Sequence, residues 1–209
     1  MISIAIGTHN EGSNLKALLS QLTRRAIVPE IIVVDDNSTN KETLDILDKF
    51  SDRIWIYKHP LNNDFAEHKN FMIDKCKGDF IFNVDADEIV PDFLLANLES
   101  IVKENDVDMF NVPRLNTVEG LTPAHVKKWG WNLSTVGSVQ NVVNWPDYQT
   151  RIFRKHPAIR WAGKVHERIV GFQTFGTLPA TFQYALQHHK TIHKQELQNS
   201  FYDKINRSQ

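Results

Sequence analysis

The stretch Gly78-Asp79-Phe80-Ile81-Phe82-Asn83-Val84-Asp85-Ala86-Asp87-Glu88 decides the fold. A Gly-Asp turn opens it, an apolar run fills Phe80 to Val84, and the acidic residues Asp85, Asp87 and Glu88 close it. A short apolar run bounded by turn residues reads as a strand buried on both faces, of the kind found inside a parallel sheet. Open α/β sheets bind ligands at the carboxyl ends of their strands, so the acidic cluster stands where a ligand would sit. Clustered carboxylates repel one another unless a cation joins them. All-oxygen donors favour Mg²⁺ or Mn²⁺, ions that commonly arrive with phosphate. An isolated D-x-D is more often a solvated acidic turn, and the rest of the chain reverses that balance.

Toward the N-terminus the pattern alternates strand and helix. Ile2 to Ile6 reads as a strand, and Leu15, Leu18, Leu19 and Leu22 recur at helical spacing with Ser13 or Asn14 as N-cap. Pro29 closes that unit. Ile31 to Val34 is a second strand, and Leu44, Leu47 and Phe50 mark a second helix. Ile54 to Tyr57 is a third strand, and a helix from Phe65 to Lys77 stops at Gly78 as its C′ residue. Alternation at this pitch predicts a parallel sheet with right-handed crossovers.

Toward the C-terminus the character changes. Pro91 to Glu104 reads as a helix that Glu88 could cap, and Met109 to Pro113 as a strand. Arg114 to Trp145 is rich in Gly, Asn, Thr and Trp without clear period, which predicts a long functional loop region. Gln149 to Arg154 and Ile159 to Val170 read as a hairpin turned at His156-Pro157, and Lys194 to Arg207 as a polar helix.

The composition narrows the function. The 209 residues carry 24 Lys and Arg against 25 Asp and Glu, so no basic excess points to nucleic acid. One cysteine, Cys76, excludes an intramolecular disulfide and fits a reducing compartment; its apolar neighbours mark it as core filler. The chain enters its first strand at once, without a signal peptide, and no stretch has transmembrane length, which predicts a cytoplasmic protein or a section of a longer one. The length suits one large α/β domain.

Two further strand ends are polar, Thr8-His9-Asn10-Glu11 and Asp35-Asp36-Asn37-Ser38. Neither holds a G-x-G-x-x-G, and no G-x-x-x-x-G-K-[ST] occurs, so dinucleotide and P-loop readings lose their support. An Asp at the second strand end can accept from a base N–H or a ribose hydroxyl, and the D-x-D can hold a metal that bridges a diphosphate.

These blocks resemble a GT-A-fold nucleotide-sugar glycosyltransferase of the family-2 type. The family's strand followed by P-T-Y-N-E is similar to Gly7-Thr8-His9-Asn10-Glu11, with Gly for Pro and His for Tyr. Its V-V-D-D-x-S-T resembles Val33 to Thr39, and its K/R-N…G-D-Y-I…D-A-D-E resembles Lys69-Asn70, Gly78 to Ile81 and Asp85 to Glu88. A later D-Y-Q-x-R-L-F-R…G-x-V-H-E resembles Asp147 to Arg154 and Gly163 to Glu167, a block typical of a bacterial and viral branch. The order of matches spans most of the chain, and a small domain encoded by large algal viruses is a conceivable nearer kin, which would place it in a host cytoplasm.

The resemblance implies a Rossmann-like, mostly parallel mixed sheet flanked by helices, with residues 1–88 binding the nucleotide-sugar and 89–209 the acceptor. It implies that Asp36 takes the uracil or thymine N–H, that Thr8 and Glu11 line the nucleoside, and that Lys69 or His68 approaches the diphosphate. Asp87 would ligate Mn²⁺ or Mg²⁺, with Asp85 on the ribose or completing the shell. His166 would be a third metal ligand, with His188 and His189 as competitors. A turn role for Asp36, a cap role for Glu88 and a solvated helix face for His68 and Lys69 are the plain alternatives.

The implied reaction is single, inverting displacement on a UDP- or dTDP-sugar by a hydroxyl of a glycan or glycoconjugate. Asp147 is the first candidate for the base and Glu167 the second. Trp129, Trp131, Trp145 and Trp161 could stack on acceptor sugars, with core packing expected for at least half of them. A sugar nucleotidyltransferase would show a Gly-rich basic loop after the first strand, which Gly7 to Ser13 does not supply. A catalytically inactive nucleotide-sugar or glycan-binding domain would keep the fold without turnover. UDP-glucose, UDP-GlcNAc, UDP-galactose and a UDP- or dTDP-linked deoxysugar all remain open as donor.

Overall fold

A computed structural model describes residues 1–24 and 30–207; Pro29 lies outside the described residues. The first half is strand and helix in alternation: β1 (Ile2–Thr8), α1 (Gly12–Thr23), β2 (Glu30–Asp35), α2 (Lys41–Phe50), β3 (Trp55–Lys58), α3 (Phe65–Lys75) and β4 (Phe80–Asp85). The strands pair in parallel, β1 between β2 and β4, with β3 on the far side of β2. Register sets the edge of the sheet. Gly7 of β1 stands opposite both Val34 and Asp85, and Thr8 stands opposite Asp35, so three polar strand ends meet at one side.

Side-chain alternation splits the core between the two faces. Ile4, Ile6, Ile31, Val33, Phe80 and Phe82 pack with α1 and α2 residues such as Leu15, Leu19 and Leu47 on one face. Ala5, Ile32, Val34 and Ile81 pack with Met72, Ile73 and Cys76 of α3 on the other. Each fully buried aliphatic side chain contributes about 1.5–3 kcal/mol, which holds the central strands firmly under the polar edge. Burial also pushes the Cys76 thiol up to about 12, so it is a core residue and no nucleophile.

Two boundary expectations are corrected. α1 begins at Gly12 rather than behind a Ser13 or Asn14 cap. The Gly12 backbone (φ +44°) donates to Thr43 Oγ1 at 2.9 Å, and a Cβ there would stand 2.6 Å from the Glu42 carboxylate. α3 ends at Cys76 in extended conformation, so Gly78 is not its left-handed cap. Gly78 is needed for close approach instead, because a Cβ would fall 2.6 Å from the Ser3 backbone nitrogen.

The second half comprises β5 (Glu88–Ile89), α4 (Asp92–Glu104), β6 (Met109–Glu119), α5 (Pro123–Trp129), β7 (Leu133–Val136), β8 (Val139–Arg154), β9 (Arg160–Ala162), β10 (Arg168–Val170), β11 (Phe175–Thr177), β12 (Leu186–Thr191) and α6 (Ile192–Arg207). Among the described residues the main sheet runs β3-β2-β1-β4-β8-β6-β12-β5, with β7 on β8 and β11 on β6. β8 is antiparallel to both β4 and β6, which makes the sheet mixed.

Arg114 to Trp145 is therefore not the irregular stretch expected: it contains the end of β6, α5, β7 and the start of β8. Register shifts on β6 between Phe110 and Asn111 and between Arg114 and Asn116 break the period-two pattern that would have revealed the strands. The expected hairpin of residues 149–154 with 159–170 is also corrected. β9 pairs with β10 in its own small sheet, and the Asn70 side chain of α3 satisfies the backbone N–H and C=O of Trp161 at 2.9 Å each. No helix among the described residues is long and apolar enough to cross a membrane.

Candidate active site

The first two strand ends form one wall. Asp35 is fully buried and spends its carboxylate on the Ser38 backbone N–H at 3.2 and 3.3 Å, so it builds the turn. Asp36 projects beyond it, accepting from the Leu61 N–H at 2.8 Å with His9 Nδ1 3.6 Å from its other oxygen. Asn10 ties the two loops together, its side-chain oxygen accepting from Thr39 and Asn40 N–H at 2.8 Å each. Thr8 is buried, and its hydroxyl has no hydrogen-bond partner among the described residues. An orphaned buried hydroxyl costs free energy unless a ligand satisfies it. His68 is buried behind this wall, and burial lowers its pKa, keeping the ring neutral.

The third strand end carries an ionic chain. Asp85 takes both Arg151 terminal nitrogens, with Arg114 Nη1 4.0 Å away. Glu88 is 1 % exposed; it accepts the Asp85 N–H at 3.0 Å, pairs with Arg151, and lies 3.5 Å from Arg114. Glu88 thus braces the D-x-D from within and does not cap α4, whose N-cap is Pro91. Arg114 continues to Asp147, donating from Nε at 2.9 Å and Nη2 at 2.7 Å. Asn116 and Gln149 add donors to Asp147 at 2.8 Å each. Burial would raise the Asp85 and Asp147 carboxyls, but Arg151 and Arg114 respectively outweigh it and hold both below the ordinary carboxylate range. For Glu88 burial wins, and its carboxyl is raised.

Asp87 stands apart from the arginines. Its Oδ2 lies 3.3 Å from His188 Nε2 and 3.0 Å from Lys194 Nζ. Asn116 fixes one of the histidine's hydrogens. Its Nδ2 must donate to the Asp147 carboxylate, so its Oδ1 faces His188 Nδ1 at 2.7 Å as an acceptor. Nδ1 therefore carries a hydrogen, and Nε2 faces the Asp87 carboxylate, donating to it when the ring is protonated and presenting a lone pair beside it when the ring is neutral. Two acceptors at that distance attract only through a proton or a cation. Burial opposes ionisation of Asp87, but His188 and Lys194 outweigh it and hold the carboxyl below its ordinary range.

This donor set fits a divalent ion of the Mn²⁺ or Mg²⁺ type, a carboxylate oxygen with an imidazole nitrogen. Among the described residues no three His, Cys, Asp or Glu side chains form a complete cage. That pattern suits an ion whose remaining ligands are phosphate oxygens and water.

The sequence placed His166 as third ligand, with His188 and His189 as competitors. The structure sets His188 against Asp87. His166 (φ +54°) has its ring 5.7 Å from that of Tyr202, and His189 meets the Thr117 hydroxyl at the exposed surface. Glu167 pairs with Lys69, both largely buried, and Lys69 Nζ lies 4.2 Å above the Trp161 ring. Glu11 is joined to Asp87 by Lys194, whose ammonium is 2.9 Å from each Glu11 oxygen.

Of the tryptophans, Trp161 is in the core and Trp145 packs on the small cluster around Val142. Trp129 stacks on His125 and Trp131 meets Trp129 at a tilt, on and just after α5, a helix that buries none of its residues. Sequence reading missed Arg114, Asn116, Arg151, Lys190 and Lys194. Arg114 and Asn116 could have been found from their two-residue spacing on one strand face, and Arg151 stood inside the D-Y-Q-x-R block without being assigned work.

Residues 3–176 match the family described as glycosyl transferase family 2. Over 113 residues, 52 % of this chain and 37 % of the relative, the sequence is 30 % identical to glycosyltransferase GlyG of Streptococcus pneumoniae. It is 26 % identical to the poly(ribitol-phosphate) beta-N-acetylglucosaminyltransferase TarP of Staphylococcus aureus, again over 52 % of this chain and 35 % of the relative. The matched segment thus spans little more than a third of these curated relatives. In fold, the chain is similar to the crystal structure of S. aureus TarS 1-349 in complex with UDP-GlcNAc, with a TM-score of 0.63 and 18 % identity over 90 % of this chain and 58 % of that one. The architecture is accordingly the GT-A arrangement, and none of these matches indicates a viral origin.

Proposed function

The chain belongs to glycosyl transferase family 2, and on that premise we propose that it transfers a hexosyl group from a UDP-sugar to a hydroxyl of a glycan or glycoconjugate, with inversion. Residues 1–88 form the donor half and 89–209 the acceptor half of one domain. The observation that carries the reading is Asp87 Oδ2 lying 3.3 Å from His188 Nε2, a carboxylate and an imidazole placed to ligate one cation, beside the buried Thr8 hydroxyl, which has no partner among the described residues.

Asp36 receives the base N–H, Thr8 and Glu11 line the nucleoside, and Asp85, oriented by Arg151, takes the ribose. Asp87 and His188 would hold Mn²⁺ or Mg²⁺, which neutralises charge on the diphosphate when bound. Lys69 supplies a fixed ammonium on the same side. The acceptor oxygen attacks the anomeric carbon, the bond to the diphosphate breaks, and the hydroxyl proton passes to a carboxylate. We assign that proton to Glu167. Asp147 is engaged by Arg114, Asn116 and Gln149 and has its carboxyl held low, which suits an anchor for Arg114 and Asn116, whereas Glu167 pairs with Lys69 alone among the described residues and is the less encumbered carboxylate. An N-acetylglucosaminyl donor is the first to try, given the UDP-GlcNAc bound in the TarS structure and the activity in TarP's name.

The test is calorimetric titration of UDP, dTDP, UTP and UDP-sugars with Mn²⁺ and then with EDTA, followed by a transfer or hydrolysis assay. Manganese-dependent UDP binding with release of UDP from one sugar is the expected result. Tightest binding of the triphosphate would move the protein to the nucleotidyltransferases, and binding without turnover to an inactive domain.

A further inference from the structure

Helix α6 is bound to the site in an unusual way. Among its described side chains only Ile205 is buried. Beyond that and Ile192 against Gly120, its described hold on the site is largely polar or ring-edge. Lys194 in its first turn reaches Glu11 and Asp87, and Gln198 bridges Lys190 and the Tyr202 hydroxyl at 2.8 Å each. Tyr202 meets Phe65 and His166 edge-on, with ring centroids 5.8 and 5.7 Å apart. An element with so little buried apolar surface lies at the low-stability end of a fold, so its position depends on the charges that hold it.

We propose that α6 is a strap that a divalent cation releases. The Lys194 ammonium neutralises Asp87, the carboxylate of the D-x-D that the arginine chain leaves over, and at the same time ties it to Glu11 at the start of α1. A cation arriving at Asp87 and His188 competes with Lys194 for the same oxygen, Oδ2. Once Lys194 leaves, Glu11 keeps only the Asn14 amide at 3.1 Å among the described side chains, and the first turn of α6 is freed from the mouth of the nucleotide wall. Coupling of this kind is reciprocal: whatever the cation does to the strap, loosening the strap does to the cation. The inference rests on Asp87 as a cation ligand, and its test separates the two ideas.

The experiment titrates Mn²⁺ alone into wild type, Lys194→Met, Lys194→Arg and Asp87→Asn, reading free Mn²⁺ by electron paramagnetic resonance, with amide exchange of residues 190–200 followed in parallel. A charge-assisted hydrogen bond lost from the competitor corresponds to a roughly tenfold to hundredfold gain in Mn²⁺ affinity for Lys194→Met. Lys194→Arg, which keeps the charge, stays near wild type, and Mn²⁺ speeds exchange in the first turn of α6 in these two proteins but not in Lys194→Met or Asp87→Asn. If Lys194→Met binds Mn²⁺ no more tightly than wild type while Asp87→Asn binds it less, the cation site stands and the strap is overturned. If Asp87→Asn binds Mn²⁺ as wild type does, the metal reading falls and takes the strap with it.

Discussion

Arg151→Met removes the centre of the ionic chain while keeping most of the side-chain volume. Arg151 is 2 % exposed and donates to Asp85 through both terminal nitrogens and to Glu88 through one. Without it Glu88, 1 % exposed, keeps the Asp85 N–H at 3.0 Å and a distant Arg114 at 3.5 Å, which do not neutralise a buried charge. Breaking one side of a buried ion pair costs about 3–5 kcal/mol. For a chain of this size that corresponds to a fall in thermal midpoint of roughly 6–20 °C.

The pH dependence carries a second signature. Glu88 already has its carboxyl raised by burial, and losing Arg151 raises it further. A carboxyl whose folded value lies above its unfolded one contributes stability below the unfolded value and loses it as pH rises through the folded value. The deficit of Arg151→Met should therefore shrink as pH falls from 7 toward about 5. Arg151→Met/Glu88→Gln, which removes the stranded charge, should recover more than half of the loss at pH 7. The assay is thermal and urea unfolding of wild type, both single variants and the double variant. A single variant within about 1 kcal/mol of wild type, with no acid recovery, would refute the claim that a buried charge is held by this arginine.

Asn116→Leu frees the His188 tautomer and removes a donor from Asp147, so Mn²⁺ affinity should fall about tenfold or more, as for loss of other groups that orient a metal-binding histidine; unchanged affinity in a titration of the free ion would sink the tautomer argument. Glu167→Gln should bind UDP normally and lose transfer by 10²-fold or more, whereas Asp147→Asn should chiefly weaken stability; single-turnover assays with the reverse pattern return the proton to Asp147. Lys190 is pushed down to about 8, mainly by burial with Arg114 and Lys194 nearby, against 10.5 in the unfolded chain. The unfolded state then binds more protons between those values, so stability should rise with pH there. Wild type should gain on Lys190→Gln from pH 8 to 10.5, and a pH-independent difference in unfolding midpoint would contradict that environment.

The first half of this fold was legible because both faces of its sheet are buried. Ile31 to Val34 is an unbroken apolar run and Phe80 to Val84 is interrupted only by Asn83, and each ends in the carboxylates that a parallel sheet delivers to its ligand-binding edge. The second half hid itself for an equally physical reason. β6 and β8 alternate partly exposed residues with buried ones, shift register twice, and spend their inward positions on Arg114, Asn116, Asp147 and Arg151 rather than on aliphatics. A polar strand face looks like a loop until its partners are known. The same blindness governs the site. Asp36, Asp85 and Asp87 follow from local spacing, since each sits at its strand's end. His188 and Lys194 come to Asp87 across more than 100 residues, 101 and 107 by separation, through β12 pairing with β6 and α6 folding back. A motif can name the ligand that its own strand presents. The partner that completes the pair is set by sheet order, and here that order also decides which carboxylate the arginines neutralise and which one is left for a cation.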